Sequence, residues 1–207
     1  MKQKTERLIG INREIILKAA DELFLTNGIE KTTMDQIAKK AEFSKPTLYG
    51  YFKDKDEVFY ALVYDFMKKI QAKVVKIQKS KDEFIKKYLM LCNSIYSLAF
   101  KYPLYFEGLI NNIEVDIFSE LTPVVYKEIY SVGEEINAVL IELVQEGKSL
   151  NYINKEYKDM EIVLYIWSAV SGVIRMALQK NEYKKMLNLN TNKFMTSCFE
   201  RVLFGCK

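Results

Sequence analysis

Residues 32–55 read TTMDQIAKKAEFSKPTLYGYFKDK, and this stretch decides the fold. Thr33 stands three residues before Gln36, the spacing of a capping box, in which the two side chains satisfy each other's free backbone N–H groups. A short helix is therefore predicted after Thr33. Ser44 can cap a second short helix, and Pro46 lies in its first turn, where no N–H partner is lost. Two short helices joined by a tight turn indicate a helix-turn-helix.

The flanking sequence extends this unit on both sides. Residues 12–27 place apolar side chains at helical spacing, and Gly28 follows where a helix end favours a left-handed residue. Asp54 can cap a longer helix, with Asp56 and Glu57 favourably placed in its first turn. The sequence therefore predicts a three-helix head that is followed directly by another helix.

The rest of the chain also favours helices. Of 207 residues, 49% are apolar, whereas Gly occurs eight times and Pro three times. Helix starts are predicted by a capping box at Ser80 and Glu83, by Thr122-Pro123, by Asn154, and by Asn190 or Thr191, and one helix is expected to stop near Gly147. We predict an all-α fold of about nine helices, with a head at residues 1–53 (core 12–53) and a larger body at residues 54–207 for effector binding and dimerisation.

Composition excludes several function classes. The chain has no His, which removes the Ser-His-Asp triad and most zinc sites, and it has no phosphate-binding glycine motif. We predict no catalytic residues, no metal and no cofactor. The three Cys form no C-x-x-C pair, and the N-terminus is charged, so a cytoplasmic protein is expected. Residues 162–178 are apolar but include Arg175, which favours a buried core helix over a membrane span.

Residues 12–60 resemble the TetR family of transcriptional regulators, through the run from Thr32 to Ala41 and the run from Ser44 to Lys55. The resemblance is dense and in register, and beyond residue 65 it concerns only length and helical character. It implies a dimeric DNA-binding regulator whose body binds a small effector. It also implies that Tyr49 and Lys55 contact phosphates.

The polar groups in the head suit DNA without reference to the family, since such donors fit phosphate oxygens and base edges in a major groove. For Tyr51 a half-core position with a solvated hydroxyl is an equally good interpretation. The predicted DNA-binding residues are Thr33, Ser44, Lys45, Pro46, Thr47, Tyr49, Tyr51 and Lys55.

Two residues depart from the family pattern. Glu42 occupies the place of a turn glycine, and a left-handed non-glycine residue costs about 1–2 kcal/mol. Gly50 replaces a bulky residue of the recognition helix, at about 1 kcal/mol in helix propensity. The operator of a relative therefore does not transfer to this chain.

Aromatic side chains are dense between residues 84 and 106. Core packing explains such a stripe, but tyrosines also suit a ligand cavity, because they combine an apolar wall with a polar tip. The predicted effector-pocket residues are Phe84, Tyr88, Tyr96, Phe100, Tyr105, Phe106 and Trp167. The acids Glu107, Glu114 and Asp116 follow closely and slightly favour a cationic compound, although Arg175 could pair with an anion instead.

The last two long helices are apolar on more than one face, and the family pairs these helices into a four-helix bundle between subunits. Small residues let backbones approach closely, so they mark a possible contact. The predicted homodimer interface comprises Ser168, Ser171, Gly172, Arg175, Phe199 and Val202. The alternative is that this face packs within one subunit.

Two functions follow from these patterns. The first is a dimeric repressor that binds a near-palindromic double-stranded DNA operator and is released by a small-molecule effector. The second is a helical carrier or enzyme that binds small molecules without binding DNA. The exposed polar residues around Lys45 and Tyr49 favour the first function, because the activity of an enzyme would not require these residues to stand together. The sequence does not separate a repressor from an activator.

Overall fold

A computed structural model describes residues 2–111 and 115–207, with side chains from residue 7 onward except that of Asn181. These residues form ten helices and no strand, so the all-α prediction is confirmed. The tenth helix is the six-residue α9, which the sequence pattern did not predict. The helices are α1 (Lys2–Asn27), α2 (Met34–Lys40), α3 (Lys45–Tyr49), α4 (Lys55–Gln78), α5 (Phe84–Lys101), α6 (Pro103–Ile110), α7 (Val124–Ser149), α8 (Asp159–Gln179), α9 (Asn181–Met186) and α10 (Thr191–Phe204).

The chain packs as two compact units. The first comprises the described residues of 1–65 and 113–129, and the second those of 66–112 and 130–207. The expected boundary after residue 53 is therefore too early. The reason is aromatic packing: Phe59 of α4 meets Phe24 edge to face at 6.1 Å, and Tyr60 lies 5.1 Å from Tyr126 of α7. The first turns of α4 and α7 thus belong to the core of the head.

Local caps hold the short helices of the first unit in place. Thr33 and Gln36 form the predicted capping box, the Ser44 hydroxyl accepts from Thr47 N, and Asp54 accepts from Glu57 N at the start of α4. The helix ends also behave as predicted. Gly28 has φ +81°, and Glu42 has φ +58°, so a glutamate takes the left-handed position of the helix-turn-helix.

The second unit is built around the contact between α8 and α10, and α5 packs against both. The hydroxyl of Tyr88 on α5 donates to the carbonyl of Phe199 at 2.8 Å, and both residues are buried. Lys87 of α5 pairs with Glu146 of α7 at 2.9 Å, with only 10% of the Lys87 side chain exposed. Gly147 admits the ring of Phe84 against the backbone of α7, since a Cβ there would lie 2.6 Å from Phe84 Cζ. Helix α7 ends at Ser149, close to the stop that the sequence predicts near Gly147.

Two predicted helix caps are wrong. Helix α5 begins at Phe84 with Glu83 at its N-cap and no side-chain cap, while the Ser80 hydroxyl accepts from Asp82 N in the preceding turn. Asn154 likewise accepts from Glu156 N, and α8 starts only at Asp159. In both cases the polar side chain closes a local turn, a competing use of the same hydrogen-bonding group. Asn190 does cap α10 by accepting from Lys193 N at 3.0 Å.

Helix α8 is apolar and only partly covered. Among the described residues it is the one helix long and apolar enough to cross a membrane, and one third of its 18-residue window, with mean hydropathy 1.5, is buried. Only one face of α8 is therefore buried in the core, whereas the sequence predicts a buried core helix. The opposite face leaves Leu164 55% and Met176 56% exposed.

Candidate functional site

Helix α3 presents a row of exposed polar and aromatic groups in the first unit. Leu48 turns inward and is fully buried, which fixes the rotation of this short helix on the head. As a result Lys45, Pro46, Thr47 and Tyr49 all point outward, and 46% of the Tyr49 side chain is exposed. The exposed donors of Lys45, Thr47 and Tyr49 can contact a polyanion.

An ion pair joins the two helices of the helix-turn-helix. Lys45 Nζ lies 2.8 Å from a carboxylate oxygen of Asp35 on α2. The hydrogen bond to Asp35 and the attraction of its charge raise the pKa of Lys45, so this side chain stays cationic. Both groups are exposed, so the pair positions the ammonium and adds little stability.

The structure places two other predicted DNA-binding residues in contacts within the head. The Tyr51 hydroxyl accepts from Asn12 Nδ2 at 2.9 Å, and its ring lies 6.5 Å from that of Phe43, so Tyr51 is half-buried. Lys55 Nζ donates to the Ile29 carbonyl at 2.7 Å. Lys55 Nζ also lies 3.4 Å from the Glu30 carbonyl, so Lys55 ties the start of α4 to the turn after α1.

Two hydroxyls of the predicted set serve as caps. Thr33 accepts from Gln36 N, and Ser44 accepts from Thr47 N and shares a 2.7 Å hydrogen bond with the Thr47 hydroxyl. Both residues are exposed. Their caps orient the first turns of α2 and α3, so these residues shape the surface even where they donate nothing to a ligand.

The second unit contains two apolar hollows. The first lies between α5, α7 and α8 and has a cavity volume of about 40 Å³. The other lies between α4, α6, α7 and α8 and has a cavity volume of about 150 Å³. Both are smaller than the roughly 300–1,000 Å³ of a typical small-molecule site, so a ligand of that size has to widen them. The hollows share three wall residues, Leu140, Val163 and Trp167.

Of the predicted pocket residues, Tyr88 lines the first hollow and Trp167 lines both. The other five do not line them. Phe84 stacks on Tyr152 at 5.2 Å, and Phe100 is 70% exposed, because it lies on the outer face of α5. Tyr96 is half-buried beside Phe100, and Tyr105 and Phe106 are buried in the core. The aromatic run is thus mostly core and surface.

Sequence reasoning missed the contribution of α7. Gly133, Asn137 and Leu140 lie at spacings of three and four along this helix and line the second hollow. Helical periodicity alone marks this stripe as inward-facing, but it does not distinguish a packed core from a cavity wall.

The acids that suggested a cationic ligand lie elsewhere. Glu107 pairs with Arg175 at 3.0 Å and accepts from Gln179 at 3.1 Å, so its charge is balanced. Asp116 is exposed in the first unit, and Glu114 lies outside the described residues. No Asp, Glu, Lys or Arg lines either hollow within the described part of the chain. The preference for a cation therefore loses its basis, and so does the anionic alternative through Arg175.

The predicted interface residues separate into two groups. Ser168, Gly172 and Arg175 are exposed on α8. Ser171, Phe199 and Val202 are buried within a single chain, with 8%, 0% and 8% exposure. Phe199 and Val202 are buried because α10 packs against α5 and α8 of its own chain, and Ser171 is buried on α8, which favours the alternative that this face packs within one subunit.

The described residues contain no group of three or more Cys, Asp or Glu side chains placed to hold a metal ion. Two of the three cysteine thiols are also unreactive. Burial raises the pKa of the Cys92 thiol to about 12 and that of Cys206 to about 11. Both thiols are therefore neutral and unreactive near pH 7.

Comparison with known proteins extends this description. A model of "Bacterial regulatory proteins, tetR family" matches residues 16–62. The HTH-type transcriptional regulator YhgD of Bacillus subtilis, itself uncharacterised, is 38% identical over 61 residues, which are 30% of this chain and 32% of that relative. The match thus spans about a third of the relative's length, and its 61 residues are similar in number to those of the head.

Solved structures cover nearly the whole chain. The fatty acid degradation regulator FadR from Bacillus halodurans superposes with a TM-score of 0.67 at 20% identity, over 92% of this chain and 94% of that one. FadR from Bacillus subtilis, solved in complex with stearoyl-CoA, gives a TM-score of 0.68 at 16% identity, over 94% and 99%. At these identities the likeness establishes the fold of the body.

Proposed function

We propose that this chain is a member of the TetR family and a sequence-specific DNA-binding transcriptional regulator, a repressor that a small-molecule effector releases from its operator. The observation that carries the proposal is the outward row of Lys45, Thr47 and Tyr49 on a capped α3, held to α2 by the Lys45–Asp35 pair. Two short helices in this arrangement suit insertion of the second into a major groove.

Roles within the head follow from chemistry and position. Lys45 and Thr47 lie in the first turn of α3, and the residues at the start of a recognition helix reach base edges, so these two read sequence. Tyr49 and Lys55 contact phosphates. The remaining four residues shape the DNA-binding surface chiefly by fixing the backbone: Thr33, Ser44, Pro46 and Tyr51. The hydroxyls of Thr33, Ser44 and Tyr51 already have hydrogen-bond partners within the head. The ring of Pro46 lies in the first turn of α3.

The functional unit is a homodimer formed through α8. Leu164, Ser168, Gly172 and Met176 recur every four residues on the exposed face of this helix. The small residues permit close approach of a second α8, and the flanking apolar side chains lose water on contact. A dimer places two heads on a near-palindromic operator, with half-site centres about 34–36 Å apart.

The effector occupies the apolar hollows of the second unit. Helix α4 carries Lys55 at its first residue and contributes Met67 and Ile70 to the wall of the second hollow. A ligand that binds better to one arrangement of α4 than to another shifts the population of DNA-competent dimers. The complex of Bacillus subtilis FadR with stearoyl-CoA supports an apolar effector.

The protein acts in the cytoplasm and is not an enzyme. The alternative, a helical carrier or enzyme that binds small molecules without DNA, is favoured only by the apolar hollows. It leaves the exposed α3 row without a role.

The test begins with DNA fragments that the purified protein retains from its own genome, from which a duplex is made for fluorescence anisotropy. Lys45→Ala and Thr47→Ala change the preference among operator variants, whereas Tyr49→Phe weakens all duplexes alike. Lys193→Ala, an exposed lysine on α10, is the charge-matched control and changes neither. Binding that does not weaken with salt, or that survives the loss of both Lys45 and Thr47 unchanged, contradicts the proposal.

Dimerisation is tested by sedimentation of Gly172→Leu. No heavy atom lies within 4 Å of a Cβ built at Gly172, so the substitution leaves the subunit intact and obstructs only a partner. The expected product is a folded monomer with lost operator binding. A variant that stays dimeric moves the interface elsewhere, and association with lipid vesicles by the wild type identifies the exposed face of α8 as a membrane contact instead.

A further inference from the structure

A wide groove lies between the second half of α4 and α5 in the second unit. Its volume is about 670 Å³, within the roughly 300–1,000 Å³ of small-molecule sites. Helix α5 packs most closely against α6, α8 and α10, so its face toward α4 stays open. The side chains of the groove line neither apolar hollow, and all of them belong to the second unit. The proposed effector and operator therefore leave this groove without an occupant.

Three lysines at the rim of the groove have no carboxylate partner. Lys73 and Lys76 stand one turn apart on α4, Lys101 ends α5, and all three are exposed. No Asp or Glu of the described residues forms an ion pair with them. Asp82 also lines the groove, but Lys86 pairs with it at 2.6 Å and balances its charge. The groove thus carries three uncompensated positive charges.

Neutral hydrogen-bonding groups line the wall between these charges. The hydroxyls of Ser94 and Ser97 and the amide of Asn93 lie on one face of α5, because their spacings of three and four are those of a single helix face. Ile77 and Leu98 add an apolar floor. Ammonium, hydroxyl and amide donors around an apolar floor suit a ligand that is rich in anionic oxygens.

The turn between the two helices forms one end of the groove. Ser80 and Asp82 line that end, and Asp82 N donates to the Ser80 hydroxyl at 3.4 Å. From Met90 to Lys101, α5 rises by about 16 Å along the groove. A short ligand with ends of its own fits this space, whereas a continuous strand of nucleic acid or an extended peptide would meet the turn.

We infer that this groove binds a small polyanion that carries at least two phosphate groups, as a nucleoside diphosphate or triphosphate does. A single carboxylate would engage one lysine and leave the other two uncompensated, whereas linked phosphates offer enough charge and enough oxygens for all three. The groove is a second ligand site, and the inference depends neither on the proposed effector nor on the operator.

An exposed aromatic ring beside the groove favours a nucleotide over inorganic polyphosphate as the source of the phosphates. Phe100 is 70% exposed, precedes Lys101 and follows Ser97 by three residues, so it lies next to both on the surface of α5. Its ring meets that of Tyr96 at 6.5 Å and otherwise faces solvent. Such a ring can stack on a nucleobase whose phosphates lie among the lysines.

The first test is calorimetry of the wild type without DNA, in a buffer that contains EDTA, with ATP, ADP, adenosine and tripolyphosphate as probes. ATP is expected to bind more tightly than ADP, adenosine not to bind, and the affinity for ATP to fall as salt rises. If neither ATP nor tripolyphosphate binds at millimolar concentration and low salt, the inference is overturned.

The two sources of the phosphates are separated by Phe100→Ala. ATP should bind the wild type more tightly than tripolyphosphate does, and the variant should lose that difference. Tighter binding of tripolyphosphate, unaffected by the variant, assigns the same groove to inorganic polyphosphate.

Lysine variants test whether the groove or the general surface charge holds the ligand. Lys73→Gln, Lys76→Gln and Lys101→Gln should each weaken ATP about fivefold, the effect of two unit charges in contact in water. Lys79→Gln is the matched control, because Lys79 is an exposed lysine close to Lys76 in sequence that does not line the groove. Its loss should stay within about twofold, since water and salt screen charges outside the site. Equal losses for Lys79→Gln and Lys76→Gln overturn the inference.

A carboxylate placed inside the groove provides an independent test. Ser97→Glu puts an acid four residues before Lys101, where it pairs with that lysine and repels phosphate, so ATP binding should be lost. Ser97 is exposed, so the variant keeps its fold, and Ser97→Gln, of similar size and without charge, should retain most of the affinity. Unchanged affinity for ATP in Ser97→Glu contradicts the inference.

Vesicles of phosphatidylglycerol test an anionic membrane as the partner of the same lysines. Vesicle binding that is lost in Lys73→Gln, Lys76→Gln and Lys101→Gln, together with no binding of ATP or tripolyphosphate, replaces the small ligand with a lipid surface and overturns the inference.

Discussion

Two glycines of α7 provide a paired test of packing, because the structure predicts opposite effects for the same substitution. A Cβ at Gly147 would lie 2.6 Å from Phe84 Cζ and 2.8 Å from Ile153 Cδ1. A Cβ at Gly133 would meet only Met67 Cε, at 3.8 Å, an ordinary contact distance. We expect Gly147→Ala to destabilise the protein and Gly133→Ala to stabilise it.

The magnitudes follow from the surroundings. Phe84 is 2% exposed and stacks on Tyr152 with 20° between the rings, so it has little room to move away. Overpacking of this kind costs about 1–3 kcal/mol, against which the better helix propensity of alanine returns at most about 1 kcal/mol. The net loss at Gly147 is about 1–2 kcal/mol. At Gly133 only the propensity acts, for a gain of about 0.5–1 kcal/mol.

The assay is thermal and urea unfolding of both variants and wild type at one protein concentration, because dimerisation makes the midpoint depend on concentration. For a chain of this length, 1 kcal/mol shifts Tm by about 2–4 °C. The two variants should therefore differ by about 3–12 °C, with wild type between them. Shifts of the same sign, or a neutral Gly147→Ala, would refute the reasoning that Phe84 requires the missing Cβ.

Three further predictions concern stability. Glu42→Gly relieves a left-handed backbone at φ +58° and should raise the free energy of unfolding by up to about 1 kcal/mol, measured by urea unfolding. A lower free energy of unfolding would mean that the glutamate side chain stabilises the head by more than its backbone strain costs. Asn190→Ala removes the cap of α10 and should cost about 1 kcal/mol, whereas Ser80→Ala, which caps no helix, should cost clearly less; equal losses would contradict the observed start of α5. Burial raises the pKa of Cys92 from its ordinary value of 9.0 to about 12, so its contribution to stability is complete below pH 9 and is lost as the pH rises toward 12. Unfolding curves of wild type and Cys92→Ala should therefore converge over that pH range, and parallel curves would exclude this titration.

The head was predictable because its information is local. The caps at Thr33, Ser44 and Asp54 and the left-handed residue Gly28 involve residues within a few positions of each other, and local spacing predicts each of them. The left-handed position of Glu42 followed from the resemblance to the family, which has a glycine there. Local spacing failed at Ser80 and Asn154, where a capping residue closes a turn of its own instead of starting a helix. Local hydrogen bonding limits the options for the chain, but a side chain with two possible partners needs tertiary context to choose between them.

The sequence by itself determined the helical class, the helix-turn-helix and the residues exposed on α3. Only the tertiary structure decided which apolar side chains form a core and which line a cavity. Phe84, Tyr105 and Phe106 pack in the core, while Leu140 and Trp167, which come from different helices, meet at the wall of both hollows. The physical reason is that periodicity reports which side of a helix avoids water, whereas a cavity depends on how several such sides fail to fill the space between them.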